Sequence, residues 1–273
     1  MTKMSFRVQF AIIGAMKSGT TDLARKLANH TSVCFCDKKE PHFFNSREDW
    51  ITSLDEYHSY FRPSPGQICG EGSTSYSDLV TYPKVVERLL AYNPELKLIY
   101  LVRHPIKRIQ SQYAHRLMNG DAEPDIRLEF EKRGWRYLSQ SSYGTTLKTY
   151  QEAFGERQVL PMLFESYIAD MGKGVDRVCD FLGIPREDLS HISARNTTVG
   201  SNRSRWSPVY YVDRILTYSP RVVRRKFGRK ISLKLREKPT LPPEIVHQLW
   251  EQIEPEVRLF ESQSGLDTSI WRG

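Results

Sequence analysis

One short stretch carries the groups that an oxyanion needs. In FAIIGAMKSGTTDL, residues 10–23, an apolar run ends at Gly14, Lys17 follows, and Gly19, Thr20 and Thr21 lead into a helical pattern. The two glycines let the backbone approach a ligand and take up angles that other residues resist. The first N–H groups of the helix have no partners within it and point at whatever fills the turn. The helix dipole and Lys17 make that place positive, and the Thr20 and Thr21 hydroxyls can donate to an anion.

The pattern is near the ATP-binding loop G-x-x-x-x-G-K-[ST], with Gly14 and Gly19 at the right separation, but Thr20 stands where that loop has lysine. Lysine sits inside the turn instead. The strand that should end in a metal-holding aspartate, LKLIYLV, runs into Arg103. A cation there repels a metal and attracts a second anion. Pro105 then opens a helix, and Ser111, about two turns in, is placed to assist Arg103. Two cationic sites at neighbouring strand ends suit a nucleotide phosphorylated on both sides of its ribose. Adenosine 3′-phosphate 5′-phosphosulfate (PAPS) is such a nucleotide, and no metal is expected. A kinase with an atypical loop is the alternative, and it requires Mg²⁺.

The elements that must hold these residues follow from periodicity. Residues 96–102 form a continuous apolar, β-branched run of the kind found in strands buried on both faces, and 8–14, 32–36 and 158–164 are shorter versions. Helical patterns alternate with them over 20–29, 83–92, 106–118, 143–154 and 173–182, and a long one begins at PPEIVHQLW. This alternation predicts one α/β domain spanning 1–273, with a central parallel sheet flanked by helices and a phosphate-loop topology. Residues 119–142 and 200–240 are weakly patterned and are expected to be insertions or lids over the active face.

Composition narrows the classes. A chain of 273 residues with 39% hydrophobic content suits a packed core. No apolar run approaches the roughly 20 residues of a transmembrane helix, and the N-terminus lacks a signal-peptide core, so a cytoplasmic protein is expected. Cys34, Cys36, Cys69 and Cys179 are too scattered for a disulfide framework and read as reduced, buried thiols. The net charge of +8 favours an anionic ligand, with twelve lysines and arginines between 203 and 238 against only Asp213 and Glu237. That stretch is either a solvated face or a surface for an acidic polymer. A nucleic-acid or acidic-polymer binding module is thus a rival, but it leaves the two phosphate sites unexplained, and no specific nucleic acid is expected.

Four stretches in order resemble the PAPS-dependent sulfotransferases, above all the carbohydrate and heparan sulfate branch: MKSGTT, KKEPHFFN, GEGSTSY with PKVVERLLAYNPELKLIYLVRHPIKRIQSQY, and LPPEIVHQLWEQIEPEVRLFESQSGLDTSIW. The resemblance implies sulfuryl transfer from PAPS to a hydroxyl of a carbohydrate or small metabolite. Lys17 would hold the 5′-phosphate and stabilise the leaving charge, with Ser18, Gly19, Thr20 and Thr21 as donors. Arg103 and Ser111 would hold the 3′-phosphate, with Arg203 or Arg205 in NTTVGSNRSRW as a further contact. Glu40 would be the general base with His42 beside it; other branches use a histidine base, which makes His42 the alternative. Glu71 and Tyr76 would stand on the acceptor side or in the core. Heparan-type members have a lysine where this chain has Gly72, which weakens the case for a heparan-like acceptor. The acceptor and the choice between monomer and homodimer stay open.

Overall fold

The apolar run before the glycine turn forms the middle of a sheet. The computed structural model describes residues 6–189, 191–192 and 239–272. Within it β1 (Phe10–Gly14), β2 (Val33–Phe35), β3 (Ile68–Gly72), β4 (Lys97–Val102) and β5 (Val159–Leu163) form a five-stranded sheet in the order β2-β3-β1-β4-β5. Every pairing is parallel. The four strands expected from apolar runs are present. The fifth, β3, was not anticipated because its sequence, ICGEG, has two glycines and a glutamate. Gly70 is needed there: a Cβ on it would lie 2.0 Å from the Phe10 ring of the adjoining strand.

The helices are α1 (Thr20–Ala28), α2 (Leu54–His58), α3 (Val85–Tyr92), α4 (Pro105–Asn119), α5 (Ile126–Ser139), α6 (Tyr143–Phe154), α7 (Phe164–Ala169), α8 (Met171–Leu182) and α9 (Pro243–Ser264). Alternate residues of the strands face opposite ways, so each face of the sheet has its own core. On one, Phe10, Ile12, Ile99 and Leu101 share a cluster with Leu23 and Leu27 of α1 and Val175 and Val178 of α8. On the other, Ala11, Ile13, Leu98 and Tyr100 join α3, α4, α6 and α9 through Val85, Ile109, Leu147 and Leu249.

α1 leaves β1 toward one face, and α4 leaves the adjacent β4 toward the other. Chains that diverge from neighbouring parallel strands open a crevice at their carboxyl ends, where ligands of such sheets bind.

The weakly patterned 119–142 stretch holds α5, whose N-cap Asp125 accepts the Arg127 N–H at 2.9 Å. Its apolar pattern is obscured because a carboxylate is buried in it: Glu129 takes the Tyr137 hydroxyl and an Arg133 Nη1 proton, both at 2.8 Å. The basic stretch 203–238, with Arg203, lies outside the described residues. All four cysteines are free and buried. Among the described residues no helix is long and apolar enough to cross a membrane.

Gly70→Ala is expected to overpack the β1–β3 contact and to cost about 1–3 kcal/mol. Urea unfolding of the two proteins checks this, with a lower midpoint and an unchanged slope as the expected result.

Candidate active site

The turn after β1 closes over its own backbone. Ala15 N–H donates to Leu101 O of β4 at 2.6 Å, and Ser18 N–H returns to Ala15 O at 3.2 Å. Gly19 caps α1 with φ 87°, and a Cβ there would meet the Phe164 ring at 2.7 Å. Left-handed angle and close approach together require glycine. Lys17 also has a left-handed φ, 70°. Thr20 is buried and Thr21 half-buried at the first turn of α1, beside the Ser18 side chain, which is fully buried.

Arg103 projects into the same place from the end of β4. Its Nη1 donates to Lys17 O at 3.4 Å, and its guanidinium stacks on the Phe164 ring at 4.8 Å. Burial pushes its pKa down, with Glu165 and Tyr143 opposing. Behind it, Glu165 accepts the His104 N–H at 3.0 Å and the Trp271 indole N–H at 3.1 Å, so the closing tryptophan braces the strand end that carries Arg103. Ser18 Oγ, beside the Tyr143 hydroxyl, and Arg103 Nε are buried without a well-aligned hydrogen-bond partner. Buried donors left in this state cost roughly 1–3 kcal/mol each. An oxyanion in the turn would engage Ser18 and a second one at the end of β4 would engage Arg103, so these residues fit a nucleotide that carries two phosphate groups. Ser111 is half-buried on α4, and no hydrogen bond among the described residues joins it to Arg103.

The second cluster stands on the segment after β2. Glu40 and His42 have φ 47° and 53°, and with Lys17 they are the non-glycine residues of positive φ among those described. His42 N–H donates to Ser73 Oγ at 3.0 Å, and its Nδ1 pairs with Ser75 Oγ at 2.6 Å. Glu40 Oε2 accepts the Thr74 hydroxyl at 2.9 Å and lies 3.7 Å from His42 Nε2. Burial holds the His42 imidazole below its ordinary value, Glu40 opposing and Lys38 adding to the effect.

Glu71 and Tyr76 belong to the core. Both are wholly buried, and Glu71 takes hydroxyl protons from Tyr57 and Tyr76 at 2.8 Å and from Ser73 at 2.6 Å. Burial raises the Glu71 pKa, and those three donors oppose the rise.

One further histidine is coupled electrostatically to both clusters. His115 of α4 has a pKa lowered by burial and then by Lys17, with a further push from Lys39 and opposition from Asp121 and Glu40. Its electrostatic neighbours therefore come from the glycine turn and from the Glu40 segment alike. The available signal was its place four residues after Ser111, on the same helical face.

A parallel sheet with a glycine turn after one strand and an arginine just beyond its neighbour defines an open α/β fold with a cationic crevice at the strand ends. The sulfotransferase domain model matches residues 7–260, and the chain belongs to that family. Human heparan sulfate glucosamine 3-O-sulfotransferase 6 is 31% identical over 186 residues, 65% of this chain and 53% of that protein. The human 3-O-sulfotransferase 3B1 is 33% identical over 193 residues, covering 65% and 46%. The chain spans about half the length of these relatives. A sulfotransferase structure from Alicyclobacillus acidocaldarius shares the fold, with TM-score 0.72, 23% identity, and 98% and 100% of the two chains covered. A mouse sulfotransferase, SULT7A1, solved with PAP, aligns over 98% of this chain and 88% of its own at TM-score 0.51 and 14% identity.

Lys17→Met removes the charge that most depresses His115. The His115 titration midpoint, followed by proton NMR of the imidazole, is expected to move up toward the ordinary 6.5 while His104 moves little. An unmoved His115 would separate α4 from the turn.

Proposed function

We propose that this chain transfers a sulfuryl group from PAPS to a hydroxyl of a carbohydrate or small metabolite. The observation that carries the reading is the pair of buried polar atoms without a well-aligned partner, Ser18 Oγ in the turn after β1 and Arg103 Nε just beyond the adjacent β4. One doubly phosphorylated nucleoside satisfies both. The PAP held by the mouse structural relative supports the same class of nucleotide here.

In this reading Lys17, the N–H groups at the start of α1 and the Ser18, Thr20 and Thr21 hydroxyls hold the 5′-phosphate. Arg103 holds the 3′-phosphate, with Ser111 assisting from α4 and Arg203 as a further contact. Glu40 takes the proton of the acceptor hydroxyl as its oxygen bonds to sulfur. The bond from sulfur to the bridging oxygen breaks, and Lys17 stabilises the charge left on the 5′-phosphate. The products are the sulfate ester and adenosine 3′,5′-bisphosphate. His42, kept neutral by burial, lies beside the base.

Positioning and charge stabilisation suffice for such a loose transfer, so no metal enters the reading. Arg103 at the strand end also counts against a metal-dependent kinase. The names of the relatives support a glycan hydroxyl, whereas Gly72 tells against a heparan-type acceptor. The four free, buried thiols support a reducing compartment such as the cytoplasm.

Transfer of labelled sulfate from PAPS is to be followed over a panel of N-sulfated heparan oligosaccharides, other glycans, small hydroxylated metabolites and water. Turnover in EDTA is the expected outcome. Lys17→Ala should lower kcat about 10²–10³-fold. Glu40→Gln should lower it about 10²–10⁴-fold while calorimetry shows bisphosphate binding retained. Strict dependence on Mg²⁺, or full activity of Glu40→Gln with an inactive His42→Ala, contradicts the assignment.

A further inference from the structure

The hydroxyls of Ser73, Thr74 and Ser75 are consecutive, and each meets a different part of the Glu40–His42 turn. Ser73, anchored on buried Glu71, holds the His42 backbone, and Ser75 holds the His42 ring. Thr74 alone reaches the Glu40 carboxylate. We propose that Thr74 is a positioning residue for the general base, aiming one oxygen of Glu40 at the acceptor hydroxyl. The proposal rests on the assignment of Glu40 as that base.

Three observations carry it. Glu40 sits on a left-handed backbone, a conformation that persists only where the surroundings over-determine it. Its flanking residue His42 is tied down at two atoms, but the carboxylate itself has only its side-chain contacts. Both of those fall on the same oxygen: Thr74 Oγ1 at 2.9 Å and His42 Nε2 at 3.7 Å from Oε2. Oε1 has no hydrogen bond among the described residues and keeps its lone pairs for a substrate proton.

The Thr74 side chain is not what builds its own turn. The short helix Thr74–Ser77 is closed by the Tyr76 N–H on Ser73 O at 3.0 Å and by the Ser77 hydroxyl on Thr74 O at 3.0 Å. Valine in place of half-buried Thr74 therefore removes a hydroxyl and leaves the turn's bonds in place. A base off its line of attack loses rate without losing nucleotide, because the residues assigned to the phosphates stand in the turn after β1, on α1, just beyond β4 and on α4, and none of them is on this turn.

The test compares the parent chain with Thr74→Val, Thr74→Ser and Glu40→Gln, using labelled PAPS with the fastest acceptor of the panel and with water. Thr74→Val is expected to lower kcat about 10-fold, with the KM for PAPS and the affinity for adenosine 3′,5′-bisphosphate within about twofold of the parent. Thr74→Ser, which keeps the donor, should recover kcat to within about threefold. Thr74→Ala is judged by the same split if the valine variant fails to bind the bisphosphate. A Thr74→Val enzyme at parental kcat, a serine variant as slow as the valine one, or equal losses of rate and bisphosphate affinity each overturn the positioning role. If those appear while Glu40→Gln is inactive, the base assignment stands and only Thr74 is dismissed. An active Glu40→Gln, or a parent that sulfates nothing including water, removes the reading beneath both.

Discussion

The parallel pairing of β1 with β4 decides where both cations stand. Their register, fixed from Phe10↔Lys97 to Ile12↔Ile99, ends the two strands side by side, and the Ala15 N–H on Leu101 O carries the contact into the turn itself. Arg103 then reaches the turn from 86 residues away, its Nη1 donating to the Lys17 backbone carbonyl at 3.4 Å. The Phe164 ring, packed against Gly19 and under Arg103, and the Trp271–Glu165–His104 chain keep that arrangement from relaxing.

A second constraint supports the other half of the site. Glu71 is a carboxyl group buried on β3, beside the central strand, made tolerable by three hydroxyl protons. One of those hydroxyls, Ser73, also receives the His42 N–H, so the burial of Glu71 and the shape of the Glu40–His42 turn are one problem with one solution. Backbone strain is distributed accordingly. Among the described residues, left-handed non-glycine angles occur at Lys17, Glu40 and His42. Such angles cost on the order of 1–3 kcal/mol each and gather where a fold is shaped for a ligand.

What could be read in the sequence follows from what local patterns record. Strands buried on both faces announce themselves as apolar runs, and the displaced lysine of the glycine turn separates it from an ATP loop in the sequence itself. β3 is illegible because its reasons are distant: the space at Gly70 belongs to Phe10, and the charge of Glu71 is satisfied by Tyr57, Ser73 and Tyr76. α5 is obscured in the same way by Glu129. His115 carries no mark beyond its spacing from Ser111, since only the fold brings Lys17, Lys39 and Glu40 to it. The stretch GEGSTSY is legible as a motif, but the separate use of each of its three consecutive hydroxyls depends on how the turn meets Glu40 and His42.

The central claim is that the two strand-end cations grip a single nucleoside by its two phosphates. Isothermal calorimetry of adenosine 3′,5′-bisphosphate against adenosine 5′-monophosphate, on the parent and on Arg103→Ala, addresses it most directly. The account predicts that the bisphosphate binds the parent at least about tenfold more tightly, as a charge-assisted contact of about 1.5–3 kcal/mol requires. It also predicts that this advantage largely disappears in Arg103→Ala while the monophosphate is bound as before. Equal affinities of the parent for both nucleotides, or an advantage that survives the loss of Arg103, would contradict it.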